Sequence, residues 1–395
     1  MSLLRHTSMQ AVALVLIAAG SRAQQPTNTR FIVAENPLAI ERRDEIVSVP
    51  WKEVLLSVPN AHDVRVRDAS GKEMVSQIVD NDADGKPDEL IFLADFWPKE
   101  TKSFSIVAGA PAKAEPRVFI RHDDPRDDMA WESDRIAFRI YGEGLKKTSS
   151  AMSSNGIDVW PKSVHRLVVE KWYTKGHDEY HIDTGEGADF FDVGETLGAG
   201  GTAIWANDTI YRGDNFKAWK IIANGPIRAI FELKYDPWTG GGVTVSETKR
   251  ITIDAGQNLY RAESIFQSTS PQIPYAIGLV KRKGMRGTES NEKSWAWLSG
   301  WGPVDPKNGG HGELGTAVMI PRATLKDWKE AVNHYLAIGA AKSGIPAVHY
   351  IGAGWTASGD FPTPQSWWAY LDNSADRLAN PIKINIGMFE SQRSK

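Results

Sequence analysis

The chain has 395 residues, of which 46 are Lys or Arg and 49 are Asp or Glu, so its formal net charge is −3. This balance, without a basic tract, argues against nucleic acid as the main partner. The absence of cysteine excludes disulfides, thiolate metal sites and thiol nucleophiles. With 41% hydrophobic residues the chain can bury a core, and its 15 Trp suit either a β core or the flat apolar faces of sugar rings.

Residues 1–23 predict a signal peptide. A short polar start that contains Arg5 is followed by an almost unbroken apolar run, residues 9–19, and by a small-x-small cleavage site that ends at Ala23. The apolar run is too short to span a bilayer. We therefore expect an exported protein, periplasmic or extracellular, without a membrane anchor.

The rest of the chain predicts an all-β protein of two domains. Short runs of alternating apolar and polar residues, closed by Gly, Pro, Asn and Asp, predict a small N-terminal β domain over residues 24–116. Residues 117–395 form the larger domain, whose clearest pattern is three long strands with short turns near 227–235, 243–253 and 259–266, which predict an antiparallel meander. One late helix is expected, with Thr363 as its N-cap.

An Asp-rich segment in the N-terminal domain resembles a calcium loop. Asp80, Asp82, Asp84 and Asp88 occupy positions 1, 3, 5 and 9 of the loop pattern, with Gly at position 6. The closing bidentate Glu should stand at position 12, where the chain has Ile91, so the pattern is incomplete. Both a structural calcium site and an ordinary hairpin turn fit these residues.

The strand predicted over residues 132–141 has two different faces. Ile136, Phe138 and Ile140 form an apolar face, and Arg135, Ala137, Arg139 and Tyr141 form the other. We expect the second face to be open or to line a cleft, where two guanidinium groups could recognise a carboxylate or a sulfate. The alternative is a solvated face with surface ion pairs.

Residues 155–205 contain the densest group of candidate functional side chains. Strand alternation would place Glu179, His181 and Asp183 on one face, so that a carboxylate could orient the imidazole for proton transfer. Glu186 and Asp189 follow on a Gly-rich loop. A structural histidine, a His/Asp/Glu metal site and a pair of glycosidase carboxylates are the alternatives. We find neither a serine-hydrolase elbow nor a phosphate-binding loop.

Several motifs, in order along the chain, resemble a family of secreted bacterial proteins that is defined by a domain of unknown function and associated with polysaccharide-degradation gene clusters. These motifs are the segment 80–92, the strand from Glu132, residues 156–162, the block 180–189 and Gly352-Ala353-Gly354-Trp355. The resemblance implies a carbohydrate-active protein with a β-supersandwich of the galactose-mutarotase or polysaccharide-lyase type. At least one branch of the family is similar to oligosaccharide dehydratases, which remove water from a non-reducing-end uronic acid, as in ulvan oligomers.

This resemblance implies roles for the residues above. Arg135 or Arg139 would offset the charge of the substrate carboxylate, and His181 would act as the base. Tyr141 would be the acid, for which Tyr180 and Tyr211 are alternatives. An acidic oligosaccharide is the expected partner, and the chemistry requires no cofactor. A polysaccharide lyase, a mutarotase or epimerase, and a non-catalytic binding module remain open. The expected substrate-binding residues are Arg139, Trp160, Lys162, Asp183, Glu186, Asp189 and Tyr211.

Overall fold

The computed structural model describes residues 30–147, 154–176, 179–306 and 309–388, so the predicted signal peptide lies outside the described residues. Antiparallel sheets dominate, and the prediction of an all-β protein is confirmed. Among the described residues, no helix has the length and apolar character needed to cross a bilayer.

The N-terminal domain is a sandwich of a five-stranded and a three-stranded sheet, with strand orders β25-β1-β7-β3-β4 and β2-β6-β5. A short helix, α1 (Trp51–Ser57), follows β2 directly. Alternating apolar side chains such as Val47, Val49, Val64 and Val66 are buried between the two sheets. The strands are β1 (Arg30–Glu35), β2 (Arg42–Pro50), β3 (Val64–Asp68), β4 (Glu73–Met74), β5 (Ser76–Val79), β6 (Glu89–Phe96) and β7 (Thr101–Ala108).

A four-stranded sheet of order β11-β10-β9-β8 begins the larger domain. Its strands are β8 (Val118–Asp123), β9 (Asp128–Ser133), β10 (Ile136–Tyr141) and β11 (Asp158–Pro161). One face packs on the largest sheet, since the rings of Trp131 and Phe231 lie 5.2 Å apart. The other face is covered by α2 (Val169–Lys175) and a 3-10 helix (Glu179–His181).

A five-stranded sheet, β13-β12-β18-β23-β22, and an eight-stranded sheet, β14-β15-β16-β17-β24-β21-β20-β19, complete the larger domain. The two sheets face each other, and Thr202 of the smaller one donates a 2.8 Å hydrogen bond to Glu247 of the larger. The strands are β12 (Ala199–Ala206), β13 (Thr209–Arg212), β14 (Ala218–Asn224), β15 (Arg228–Gly240), β16 (Val243–Asp254), β17 (Leu259–Gln267), β18 (Gln272–Val280), β19 (Arg286–Ser290), β20 (Trp295–Pro303), β21 (Glu313–Pro321), β22 (Leu325–Glu330), β23 (His334–Lys342) and β24 (Ala347–Trp355).

The predicted meander and helix are confirmed. β15, β16 and β17 pair in sequence as neighbours of the eight-stranded sheet. The helix α3 (Pro364–Ala379) begins after Thr363, whose hydroxyl accepts a 3.2 Å hydrogen bond from the backbone N–H of Ser366, and a reciprocal bond completes a capping box. α3 lies on the outer face of the eight-stranded sheet, where Trp367 and Leu371 are buried.

The C-terminal strand lies in the N-terminal sandwich. β25 (Lys383–Met388) pairs with β1, so the chain crosses the larger domain and returns to the first sheet. Sequence analysis placed these residues in the larger domain, because a strand's own pattern does not identify its pairing partner.

Candidate active site

The second face of β10 is buried, which corrects the expectation of an open face. All six residues of β10 are buried, and Ala137 packs with Trp160, Trp172 and Tyr180 in a separate apolar cluster. The segment that follows β11 carries enough aromatic side chains to cover this face. Gly187 permits the close docking, because it has a φ of 98° and a side chain there would collide with the carbonyl of Pro161.

Beneath this cover, Arg139 is the centre of a buried hydrogen-bonded cluster. Its Nη2 lies 2.7 Å from the carboxylates of both Asp158 and Asp189, and its Nη1 donates a 2.7 Å bond to the hydroxyl of Tyr180. The hydroxyl of Tyr141 donates to Asp158 over 3.1 Å. We call these five residues the Arg139 cluster. Its guanidinium binds protein carboxylates and does not face a cleft.

The two carboxylates of the Arg139 cluster share one cation. Burial raises the pKa of Asp189 well above its usual value, and the neighbouring charge of Asp158 raises it further, although Arg139 opposes the shift. Burial also raises the pKa of Tyr141 well above its usual value, so this phenol stays protonated. Burial and the charge of Asp158 thus disfavour ionisation of Asp189, and Arg139 favours it.

His181 lies above the Arg139 cluster and reaches the surface. Its Nδ1 lies 2.9 Å from the carbonyl oxygen of Asp189 and 3.6 Å from the carboxylate of the same residue, and a third of its side chain is exposed. The expected strand is wrong here: residues 179–181 form a 3-10 helix, so Tyr180 and His181 are neighbours with ring centroids 4.7 Å apart. The predicted strand face of Glu179, His181 and Asp183 therefore does not form. The carboxylate of Asp189 lies beside His181 instead, and Asp183 has another partner.

Asp183 accepts a 2.9 Å hydrogen bond from His311, a residue that sequence reasoning missed. Its other oxygen accepts backbone N–H bonds from Gly185 and Gly187. Burial opposes ionisation of Asp183, but His311 and these N–H groups outweigh it and lower its pKa. The carboxylate therefore orients a second imidazole, which is more than half exposed. The segment that carries it passes His181, since a Cβ at Gly309 would lie 3.8 Å from the His181 carbonyl oxygen.

Arg282, also missed from the sequence, lies just after β18 and contacts the segment that carries His311. Its Nη2 donates a 2.6 Å bond to the carbonyl of Leu314, and its guanidinium lies 5.3 Å from the ring of Phe191. Its Nε and Nη1 are shielded from solvent, and neither has a hydrogen-bond partner in the part of the chain that the structure describes. Burial lowers the pKa of Arg282 to about 10, which still leaves it protonated at neutral pH.

We call Arg282, Phe191, His311 and Asp183 the Arg282 region. No acidic side chain of the described residues lies within salt-bridge distance of its guanidinium. No sequence pattern indicates that Arg282 is buried without an acidic partner, because an isolated basic side chain at the end of a strand is ordinarily a surface residue.

Trp160 and Lys162 were expected to bind substrate, yet both are buried against protein groups. Trp160 stacks near Tyr173 and Tyr180, with ring centroids 5.3 and 4.9 Å away. The ammonium of Lys162 lies 2.8 Å from Glu132, and burial lowers its pKa. The cover over β10 separates both side chains from solvent, so their contacts stabilise the fold of this sheet.

Arg135 lies apart from the Arg139 cluster, at the surface. Its Nη1 is 3.3 Å from the carboxylate of Asp360 and 3.1 Å from the ring of His165. Tyr211 lies on β13, where its carbonyl accepts a 3.0 Å bond from the indole of Trp238. The structure therefore does not bring Arg135 or Tyr211 together with His181.

Glu186 anchors the loop that covers β10. Its carboxylate lies 2.8 Å from Lys171 and 2.6 Å from Arg166, and hydrogen bonds from these two groups lower its pKa to about 2. This acid is ionised and paired, which suits a structural anchor better than a proton donor.

The Asp-rich loop brings three of its four predicted ligands together. One carboxylate oxygen from each of Asp80, Asp82 and Asp88 lies within 4.8 Å of the other two. Asp84 turns away and pairs with Lys86 at 3.2 Å. Bound calcium stays a prediction at these three residues.

The fold defines this protein as a β-sandwich protein similar to solved glycosyl hydrolase family 38 structures. An alpha-mannosidase from Enterococcus faecalis V583 matches with a TM-score of 0.51 and 12% identity, covering 92% of this chain and 46% of that structure. A second family 38 protein from Enterococcus faecalis matches equally well, with 48% of its chain covered. The chain thus spans about half the length of these structures, and the similarity concerns the fold alone.

Within this fold class, the chain belongs to the family named Domain of unknown function (DUF4861), whose model matches residues 34–384. "Uncharacterized protein P7" from Formosa agariphila is 30% identical over 404 residues, covering 97% of this chain and the whole of that protein. The predicted membership of a family of unknown function is confirmed. The similarity to oligosaccharide dehydratases stays a prediction.

Proposed function

We propose that this protein is an exported carbohydrate-active enzyme that removes water from a non-reducing-end uronic acid of an acidic oligosaccharide. The observation that carries the proposal is the pair of histidine–carboxylate contacts, His181 with Asp189 and His311 with Asp183, beside the unpaired Arg282. The fold supports it, because similar structures are named as glycosidases.

The reaction needs a base, an acid and a partner for the substrate carboxylate. In the proposed step His181 takes the proton from C5, and the C4–O bond breaks as His311 protonates the leaving hydroxyl, which departs as water. The electrons of the C5–H bond form the C4–C5 double bond. One proton is taken and one is given, so the two imidazoles regain their starting states by exchange with solvent.

Arg282 replaces Arg135 and Arg139 in this proposal. Charge accumulates on the substrate carboxylate as the C5 proton leaves, and a nearby cation stabilises it. Arg139 and Arg135 already bind protein carboxylates, whereas among the described residues the guanidinium of Arg282 contacts a carbonyl and an aromatic ring. His311 also replaces Tyr141 as the proposed acid, because the hydroxyl of Tyr141 is buried and its pKa is raised.

Oligomers of ulvan or glucuronan type test the activity. We expect ultraviolet absorbance of a new double bond and, by mass spectrometry, loss of one water per oligomer without chain shortening. Shortening with a double bond would identify a lyase, and shortening without one a hydrolase. Isomerisation alone would identify a mutarotase or epimerase, and binding without turnover a binding module. Each of these outcomes contradicts dehydration.

Variants then test the assignment. His181→Ala and His311→Ala should each lower kcat by at least about 100-fold, as loss of a general acid or base does. His62→Gln, an exposed histidine of the N-terminal domain, is the matched control and should keep full activity. Unchanged turnover in either site variant would reject the corresponding role.

A further inference from the structure

A cavity of about 670 Å³ lies between the two domains, far in sequence from both histidines. Residues of β2 and β6 line one side, the outer face of β15, β16, β17 and β24 lines the second, and α3 lines the third. We call it the interdomain cavity. Its volume is typical of sites for small organic ligands, which often lie between domains.

Ionised side chains dominate the wall, and they pair with one another. Arg228 makes a bidentate contact with Asp254 at 2.7 and 2.9 Å and reaches Glu89 at 3.0 Å. Burial alone would raise the pKa of Glu89, but Arg228 and two hydrogen bonds lower it, so this carboxylate is ionised. The N-terminal domain and the eight-stranded sheet are thus joined by compensated charges.

The remaining charges of the wall are compensated in the same way. Arg261 lies 2.5 Å from Glu263, and Arg250 lies 2.9 Å from Glu232. Glu45 binds two guanidinium groups, those of Arg42 and Arg377, each at 2.6 Å. A ligand with a full charge would therefore have to break an existing ion pair, which is costly in a half-buried site.

Neutral groups of the wall have hydrogen-bonding capacity left. Tyr350 and Thr252 line the cavity, and within the part of the chain that the structure describes their hydroxyls make no hydrogen bond. Ile46, Ile230 and Leu259 add apolar surface between the polar groups. The wall thus alternates paired ions, open hydroxyls and apolar patches on a rigid sheet.

From this wall we infer that the interdomain cavity is a binding site for a neutral saccharide segment. A sugar hydroxyl donates to a carboxylate and accepts from a guanidinium at the same time, so it can join a paired network without separating the charges. The C–H faces of a pyranose ring suit the apolar patches. Because the sheet holds the groups in place, little ordering is needed on binding.

Calorimetric titration with two sets of oligosaccharides of equal length, one neutral and one rich in uronate, tests this site. We expect the wild-type protein to bind the neutral set and the variant Tyr350→Phe/Thr252→Val to bind it at least about 10-fold more weakly, a loss of 1.4 kcal/mol. Tyr335→Phe, a tyrosine of β23 outside the cavity, is the matched control. The melting temperature of each variant verifies that it is folded.

Three outcomes would overturn the inference: no binding of the neutral set, binding of the uronate-rich set alone, or equal neutral binding by wild-type protein and the double variant. The protein His181→Ala should bind the neutral set as tightly as wild-type protein. Failure of dehydration therefore leaves this inference standing, and failure of neutral binding leaves dehydration standing.

Discussion

The Arg139 cluster and the Arg282 region each contain a buried guanidinium, but only the first surrounds it with acids. Arg139 contacts two carboxylates and two phenols, whereas Arg282 contacts one carbonyl and one ring. A buried charge needs compensation in either case. Protein carboxylates compensate Arg139, whereas no carboxylate of the described residues lies within salt-bridge distance of Arg282, for which we propose the substrate carboxylate as partner.

This difference distinguishes a structural cation, Arg139, from the cation that we propose binds the substrate, Arg282. Two hydrogen bonds of Arg139, to Tyr180 and Asp189, hold the segment 179–189 against β10, where the backbone carbonyl of Asp189 contacts His181. Arg282 has two shielded N–H groups, Nε and Nη1, that find no hydrogen-bond partner among the described residues.

The largest expected effect is on stability, at Arg139. Arg139→Met should lower the free energy of unfolding by about 3–5 kcal/mol, because it leaves Asp158 and Asp189 buried without their shared cation. Urea unfolding at pH 7 measures the change. A loss below about 1 kcal/mol would contradict the structural role that the comparison gives to this residue.

The substitution Arg282→Met should lower turnover and leave the stability of the fold almost unchanged. Arg282→Met removes one hydrogen bond to a carbonyl, so we expect the free energy of unfolding to change by no more than about 1 kcal/mol. Turnover of uronate-ended oligomers should fall about 100-fold, since the carboxylate loses its cation. Arg282→Lys should recover part of the turnover. A folded variant with unchanged kcat/KM would contradict the proposal that Arg282 binds the substrate carboxylate.

His349 is a third buried basic side chain, and it differs from the two arginines because it is neutral at neutral pH. It is fully buried in β24, and burial, with the charge of Lys249, lowers its pKa to about 3. The unfolded chain takes up a proton near pH 6.5 and the folded chain does not, so stability is lost as pH falls below about 6.5.

The predicted slope for His349 is at most about 1.4 kcal/mol per pH unit between the two pKa values. His349→Leu should flatten the fall in stability between pH 6 and pH 5, where few carboxylates titrate. Thermal unfolding in that interval measures it. Equal slopes for both proteins would show that the buried imidazole does not control acid stability.

Glu186 provides the smallest expected effect. Glu186→Gln should cost about 1 kcal/mol at pH 7, because Lys171 and Arg166 are mostly exposed and water screens the pairs. The pKa of Glu186 is lowered to about 2, so its contribution is complete above about pH 4.5 and is lost as pH falls towards 2. The two unfolding curves should therefore converge in acid, and a gap that persists at pH 2 would contradict this assignment.

Local patterns of the sequence determined the β class, the meander of β15, β16 and β17, and the start of α3. Alternation is visible within one strand, a turn within a few residues, and a cap such as Thr363 within four, so each can be inferred without distant contacts. The partner of His181 was not determined in this way: strand alternation indicated Glu179 and Asp183, whereas the 3-10 helix places His181 beside Asp189.

Tertiary structure alone decided which faces are covered and which charges meet. Sequence alternation cannot tell whether a polar face is open, and an aromatic segment folds over β10. His311 reaches Asp183 across 128 residues, β25 returns to β1 across the whole chain, and Arg282 remains without an acid. These features depend on long-range packing, and no local residue pattern records which distant side chains share one buried space.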